Sequence, residues 1–376
     1  MSLAITTHQE DLRAALGRFL DDRSPLSRTR ELMERPVPYD ADVWRALAAD
    51  LGLHGIGVPE EYGGGGVDVQ TLAYAFEETG RVLLPGPLLA TLGLAVPLLL
   101  ASGDTDAQAR YLPGIAAGET VATVGWLAPG APWDSAGDAA EAVRRPGGTD
   151  RGGWAVDGRV SLVLDGLAAD VCLVVAAAPA GPSVFAVDTT GPGVDRRWIR
   201  ALDPTRGLAE LTLTGAPGTL VGEEGAGLAL LDAARDRACV LLASEMVGAA
   251  QACLDMAVAY AKQREQFGRP IGSFQAIKHK CAEVLVEVEG ARSCARYAAW
   301  ACDAVPEEVP VVSVLAKAAA GEAFFRAAAE NLQIHGGIGF TWEHDAHLFL
   351  KRAKACQVLF GDTRSFRLRL ADLLGL

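Results

Sequence analysis

Residues 264–275 read Arg-Glu-Gln-Phe-Gly-Arg-Pro-Ile-Gly-Ser-Phe-Gln and separate two long stretches in which apolar residues recur with helical spacing. Residues 333–340, at the end of the next such stretch, read Gln-Ile-His-Gly-Gly-Ile-Gly-Phe. Neither segment matches a generic binding motif. Structurally, Arg264 could end a helix and the glycines could make a turn. Functionally, a guanidinium and glycine backbone amides suit phosphate groups. These two segments decide how the helical half of the chain is interpreted.

Helical periodicity governs the chain after Gly225. The apolar residues that repeat at helical spacing are Val240, Val247, Leu254, Ile277, Cys281, Val284, Val288, Ala291, Leu315, Ala318 and Phe325. Each stripe is wide enough to pack against neighbouring helices, so the pattern predicts a helical bundle.

The preceding part of the chain changes character once. From Glu10 to about Gly118 the pattern is helical, and then short β-type runs alternate with turn residues. The runs cover residues 121–127, 154–156, 160–164, 171–176, 184–187 and 211–213. We therefore predict an α+β fold: an N-terminal helical domain (1–120), a middle antiparallel β domain (121–225) and a C-terminal four-helix bundle (226–376).

Composition narrows the function classes. The chain has 376 residues, 50% of them hydrophobic, and a formal net charge of −13. This charge repels nucleic acid and anionic lipid, so we expect neither as a partner. The seven cysteines form no C-x-x-C pair, the N-terminal residues do not resemble a signal peptide, and prolines interrupt the apolar stretch 83–100. We expect a cytoplasmic protein without a membrane span.

Other common chemistries lack their motifs. The six histidines contain no H-x-x-x-H pair, and His344 and His347 fit a polar surface turn better than a metal site. No G-x-S-x-G nucleophile motif is present, and the glycine-rich loop 63–66 lacks the Lys-Ser/Thr of a P-loop. The sequence predicts no metal and no hydrolytic triad.

Together, and in this order, the two segments 264–275 and 333–340 resemble the flavin-binding signature of the acyl-CoA dehydrogenase family. Residues 57–64 and 110–119 are similar to two further segments of that family, so the likeness covers nearly the whole chain. It implies FAD as cofactor and dimers or tetramers with the flavin lying across a subunit interface. The residues that match those offered to a neighbouring subunit's flavin are Arg264, Gln266, Phe267, Gln333, Gly336 and Gly337.

The resemblance also implies a reaction. Family members desaturate an acyl-CoA thioester: a carboxylate removes the α-proton, the flavin accepts the β-hydrogen as hydride, and an electron-transferring flavoprotein usually takes the electrons. Most members carry the base as Glu near the C-terminus, where this chain has Phe360. A minority carry it on the first bundle helix, which makes Asp236 and Glu245 the candidate bases. An ungapped alignment instead places Ala238 at the position of the base. Asp236 also fits a solvated carboxylate at the start of a helix, and Glu245 also fits a structural ion pair.

The β domain departs from the family as well. The loop that holds the flavin pyrimidine edge and phosphate is matched by residues 127–134, Leu-Ala-Pro-Gly-Ala-Pro-Trp-Asp, which lack the family's Thr and Ser. The Trp-Ile-Thr element that packs on the flavin ring is matched by Leu162-Val163-Leu164. The groups with which this chain would hold its own flavin are therefore largely absent, whereas those that it would offer to a neighbouring subunit's flavin are present.

This asymmetry favours one hypothesis over its alternatives. Some actinobacterial members are heteromers in which one subunit type carries the base and most of the flavin site and the other completes it; this chain resembles the second type. We expect an acyl-CoA or related thioester as substrate and a related subunit as partner. The alternatives are a homo-oligomeric flavin oxidoreductase, acting through Asp236 or Glu245 or on a non-standard substrate, and a catalytically silent structural or binding subunit.

Overall fold

The structure, a computed structural model, describes residues 4–66, 68–135, 139–145 and 151–376. Helices fill the first part of the described chain. They are α1 (Thr7–Arg23), α2 (Leu26–Leu32), α3 (Ala41–Ala49), α4 (Val69–Arg81), a π-helix (Leu89–Ala95) that continues into α5 (Val96–Ala101), and α6 (Thr105–Ala116). Polar side chains set several starts: Thr6 and Gln9 form a reciprocal capping box at α1, and Asp104 caps α6.

Strands follow in the middle of the chain. They are β1 (Ala122–Gly125), β2 (Ala140–Arg144), β3 (Trp154–Leu164), β4 (Val171–Ala178), β5 (Gly181–Asp188), β6 (Val194–Trp198) and β7 (Leu208–Val221). Most pairs are antiparallel, and β1 and β2 pair with β4 in parallel. The order β4-β2-β3-β7-β5 returns to β4, so these strands close into a barrel around a core that includes Trp154 and Phe185.

Long helices return after the barrel. They are α7 (Gly227–Gln263), the hairpin strands β8 (Glu265–Gln266) and β9 (Arg269–Pro270), α8 (Gln275–Ala304), α9 (Val309–His335), α10 (Ala346–Val358) and α11 (Thr363–Leu373). Helix α7 is long and apolar enough to span a membrane, but 78% of its most apolar window is buried within the protein. This burial is typical of a core helix.

The chain divides into two compact units, which are described separately. The bundle unit comprises the residues up to Thr29, Val69–Leu84 and Cys239–Leu376; the barrel unit comprises Arg30–Asp68 and Pro85–Ala238. The predicted fold class, helical then β then helical, is confirmed, whereas the exact domain limits stay a prediction.

Glycines allow two helices of the bundle unit to approach closely. A methyl group at Gly248 of α7 would overlap the carbonyl oxygen of Glu77 on α4, and one at Gly80 of α4 would overlap that of Glu245 on α7. The two helices therefore cross backbone to backbone, which fixes the position of the polar side chains around the crossing.

Candidate functional site

Arg264 sits at the base of the hairpin between α7 and α8. Its N–H donates to the Tyr260 carbonyl (2.8 Å) and its carbonyl accepts from Ile271 N–H (2.8 Å), so the backbone is held on both sides. The hairpin turns at Phe267 and Gly268, which have φ of 56° and 75°, the left-handed values that a two-residue turn requires. The side chains of Arg264 and Gln266 are exposed, and Phe267 is 92% exposed.

The second predicted segment ends α9. Gln333 is exposed, whereas Ile334 and His335 are buried. Gly336 has φ 63° and ψ −141°, a conformation that excludes most other residues. A Cβ at Gly336 or Gly337 would meet no atom within 4 Å, so their backbone faces open space.

Buried residues bring these two segments to the same edge of the bundle unit. Ile334 packs with Ala257 and Ala261 of α7 in a small apolar cluster, and Ile271 after the hairpin packs against that cluster. The His335 ring stacks on Tyr260 with centroids 4.2 Å apart, and burial lowers the pKa of His335. His335 is thus a packing residue at this edge.

This edge has the chemistry of a half-site for a phosphate-bearing ligand. It combines a permanently charged guanidinium, an exposed side-chain amide, an exposed aromatic ring and open glycine backbone. Arginine forms strong charge-assisted hydrogen bonds with diphosphates. The donor set of this edge therefore fits the diphosphate group of a dinucleotide such as FAD.

Phe360 occupies the expected position of the catalytic base, in a turn with an unusual backbone. Its φ is 65° and its side chain is 1% exposed. The Nζ of Lys317, on α9, donates to the carbonyls of Gln357 (2.8 Å) and Gly361 (3.2 Å) and so holds this turn. Asp362 caps α11 through Ser365 N–H (2.8 Å), and this bond lowers the Asp362 pKa. The turn is built, but its phenyl group cannot accept a proton.

Glu245 lies in a buried ion pair. Its Oε1 is 2.5 Å from Nη1 of Arg352 on α10, and the side chains are 8% and 2% exposed. A carboxylate bound by a buried guanidinium is stabilised in its charged form. This geometry supports the structural alternative for Glu245, and its catalytic role stays an untested prediction.

Asp236 and Ala238, the other candidate base positions on α7, lie in the barrel unit. Both residues are buried, so Asp236 does not match the solvated helix-start interpretation. A Cβ at Gly93 of the π-helix would lie 3.9 Å from the Ala238 Cα, so the backbones are close at this point. The role of Asp236 as a base stays a prediction.

The β-domain segments lack the polar side chains that the family resemblance implies. Ser161 N–H donates to the Leu127 carbonyl (2.7 Å), and the rings of Trp126 and Trp133 lie 5.9 Å apart. Leu162 has φ 54° at a register shift between β3 and β7. The half-site for holding a flavin within this chain therefore lacks its side-chain donors at the matched positions.

Comparison with known proteins identifies the family of the chain. The model described as acyl-CoA dehydrogenase, N-terminal domain, matches residues 6–119, and that described as acyl-CoA dehydrogenase, C-terminal domain, matches residues 225–374. The chain belongs to the acyl-CoA dehydrogenase family. Family membership makes it an FAD-dependent oxidoreductase of the acyl-CoA dehydrogenase type.

Several family members are similar over almost their full length. Acyl-CoA dehydrogenase IpdE2 of Mycobacterium tuberculosis is 36% identical over 341 residues, which cover 91% of this chain and 89% of that protein. The ChsE4–ChsE5 complex of M. tuberculosis contains a chain with a TM-score of 0.88 and 26% identity, covering 100% of this chain and 99% of that one. A variant of the steroid acyl-CoA dehydrogenase Tcur3481–Tcur3483 has a TM-score of 0.86 and 29% identity, with 98% coverage of both chains.

The roles of two residues of this acyl-CoA dehydrogenase family member could not be recognised from the sequence. Lys317, which holds the turn at Phe360, is 2% exposed, and burial lowers its pKa to about 8. In the sequence, Lys317 stands out as a single lysine inside an apolar run. Arg352 lies in the basic stretch Lys351-Arg352-Ala353-Lys354, but its pairing with Glu245, 107 residues away in the chain, could not be predicted from spacing.

Proposed function

We propose that this chain is one subunit of a heteromeric, FAD-dependent acyl-CoA dehydrogenase, in which it completes a flavin site held mainly by a related subunit. The enzyme desaturates an acyl-CoA or related thioester between Cα and Cβ. The proposal rests on a contrast between two parts of the chain. The edge formed by residues 264, 266, 267, 333, 336 and 337, here called the lending edge, keeps the residues that match the family, whereas the β domain lacks its flavin-binding side chains.

Each residue of the lending edge has a stated task. Arg264 neutralises the diphosphate of the partner's FAD, Gln266 and Phe267 approach its ring region, and Gln333 with Gly336 and Gly337 lies along the ADP part. The bound flavin supplies the hydride acceptor. Because Phe360 cannot remove the α-proton, the partner subunit provides the carboxylate base. An electron-transferring flavoprotein takes the electrons, and the complex works in the cytoplasm.

The relatives support the heteromeric form of this proposal. Two similar solved structures each carry the name of a pair of proteins, ChsE4–ChsE5 and Tcur3481–Tcur3483. A partnership between unlike subunits therefore has precedent among proteins that resemble this chain over nearly its whole length.

Flavin content tests the proposal directly. Expressed alone, the chain should carry little FAD; expressed with its related subunit, the complex should carry one FAD for every two chains and lose flavin absorbance when an acyl-CoA is added without oxygen. A lone chain that binds one FAD per chain and reduces a dye with an acyl-CoA would contradict the proposal.

Substitution of Arg264 tests the half-site. Arg264→Gln should weaken FAD binding by the complex about 30-fold, because a charge-assisted hydrogen bond contributes about 2 kcal/mol. Arg269→Gln is the matched control, since Arg269 is exposed on the same hairpin but stacks on Phe274 with its guanidinium 4.1 Å from the ring. If the two variants retain FAD equally, Arg264 does not contribute to FAD binding.

A further inference from the structure

A stack of three aromatic rings adjoins the glycines of the lending edge. The ring of His335, the last residue of α9, is 4.2 Å from the ring of Tyr260 on α7 and 4.2 Å from the ring of His344, two residues before α10. His335 is 4% exposed and comes immediately before Gly336 and Gly337 in the chain. The stack therefore joins α7, the end of α9 and the segment that leads into α10.

Backbone partners determine where the two imidazoles carry their protons. Nδ1 of His335 is 2.8 Å from the Asn331 carbonyl, which can only accept, so this nitrogen is protonated. Nδ1 of His344 accepts from the N–H of Ala346, the first residue of α10 (3.1 Å), so this nitrogen is not protonated. The bond of His344 therefore exists only while its ring is neutral, because a protonated Nδ1 would face the Ala346 N–H as a second donor.

The segment 336–345 folds back against the end of α9. A methyl group at Gly339 would lie 3.0 Å from the Leu332 carbonyl oxygen and 3.1 Å from Cβ of His335, so the backbone of the segment is close to the helix. At the other end of the segment, His344 packs on His335 and bonds Ala346. These contacts hold the segment closed immediately after the two glycines.

A positive charge on either ring is opposed by its surroundings. Burial lowers the pKa of His335, the bond to the Asn331 carbonyl raises it and His344 lowers it, with a net shift downward. The N-terminus of α10 disfavours a cation at His344, whereas the adjacent carboxylates of Glu343 and Asp345 favour one. Protons on both rings would place two cations 4.2 Å apart. Further titratable residues on the elements around the pair are Tyr260 on α7, Glu330 on α9 and His347 in the first turn of α10.

We propose that the pair of His335 and His344 positions Gly336 and Gly337 for the partner's flavin, and does so only while both rings are neutral. The inference rests on the proposed function, in which these glycines bind FAD within the assembled complex. Acid that protonates the pair opens the segment after the glycines and weakens flavin binding. If the histidines acted only through their charge, acid would have the opposite effect, because a cation near the diphosphate strengthens binding.

The pH dependence of FAD binding tests the pair. The complex with the related subunit is stripped of flavin and titrated with FAD at pH 7.5 and at pH 5.5, with flavin fluorescence as the signal. Opening that is coupled to one proton on a histidine of ordinary pKa, about 6.5, should weaken binding up to about tenfold over this range. His344→Asn should remove this dependence, because an amide oxygen accepts from the Ala346 N–H without taking up a proton. His8→Asn, at an exposed position of α1, should keep it.

Hydrogen exchange gives a second readout that needs no flavin. In the flavin-free complex, the Ala346 amide should lose protection at pH 5.5, after correction for intrinsic exchange, because its acceptor at His344 is then protonated. The Leu359 amide, which bonds the Ala355 carbonyl at the other end of α10 (3.1 Å), should stay protected.

The outcomes separate this inference from the proposed function. A complex that binds no FAD at pH 7.5 would contradict the proposed function and, with it, the role of the pair. FAD binding that is firm at pH 7.5 and equal or tighter at pH 5.5 would overturn the inference alone. So would a pH dependence that His344→Asn leaves intact, or an Ala346 amide whose protection does not change.

Discussion

Replacing Glu245 by glutamine separates its structural role from its catalytic one. The carboxylate is 2.5 Å from Arg352, and both side chains are almost fully buried. Glu245→Gln removes a charged partner of the buried Arg352 guanidinium, and breaking a buried ion pair in this way costs about 3–5 kcal/mol of unfolding free energy. A loss of this size is a large share of the roughly 5–15 kcal/mol that stabilises a folded domain.

The assay is urea unfolding at pH 7 followed by circular dichroism, with two companion variants. Glu322→Gln breaks the pair between Glu322 and Arg367, which has a similar distance (2.7 Å) but side chains that are 53% and 70% exposed. This control should lose less than about 1 kcal/mol. The double variant Glu245→Leu with Arg352→Met removes both charges together and should be much more stable than Glu245→Gln alone.

Turnover of the co-assembled complex completes the experiment. If Glu245 is structural, the Glu245→Gln complex that remains folded should keep its rate of acyl-CoA-dependent dye reduction. The reasoning is refuted if Glu245→Gln is as stable as Glu322→Gln while turnover disappears. That result would make Glu245 the base and would favour the homo-oligomeric enzyme.

Three further predictions concern other residues. His54 is fully buried, and burial lowers its pKa from 6.5 to about 4, so the unfolded chain binds more protons than the folded one between these pH values. The free energy of unfolding should therefore fall by about 3 kcal/mol as the pH drops from 6.5 to 4. His54→Leu should remove this part of the pH dependence, measured by urea unfolding. Gly248→Ala should cost about 3 kcal/mol in urea unfolding, because the methyl group meets the Glu77 carbonyl, whereas Gly290→Ala, which has open space, should be neutral or stabilising. Phe360→Glu should give the lone chain no acyl-CoA-dependent dye reduction, because its β domain lacks the flavin-binding side chains; activity of that lone variant would contradict the proposed division of labour.

The helices were predictable from the sequence because each long helix repeats its apolar residues over many turns. The strands were predicted less completely, for local reasons. The runs 154–156 and 160–164 are one strand, Trp154–Leu164, since the intervening residues remain paired through a register shift. The run 211–213 lies within Leu208–Val221, whose Gly215, Pro217 and Gly218 resemble turn residues. Pairing with β3 and β5 keeps Pro217 and Gly218 in the strand.

The candidate site could be proposed from the sequence only where its residues are contiguous. The hairpin at Arg264 and the glycines at Gly336 could be singled out because exposed residues of a short segment carry the pattern themselves, and their role in binding stays a prediction. The pair of Glu245 with Arg352 and the bonds of Lys317 to the Phe360 turn join distant helices. Their partners are chosen by the way α7, α9 and α10 pack, and no local spacing encodes that choice.

The two half-sites together determine which assembly is consistent with function. In a homodimer of this chain, every flavin site would combine a complete lending edge with a β domain that lacks its donors, so no site would be complete. If the partner instead has an intact β domain and a carboxylate base, the site formed by its β domain and this chain's Arg264 edge is complete. The reciprocal site still contains this chain's β domain and stays without flavin. The proposed stoichiometry of one FAD for two chains therefore rests on the residues at positions 127–134, 162–164 and 264, independently of which acyl group the enzyme oxidises.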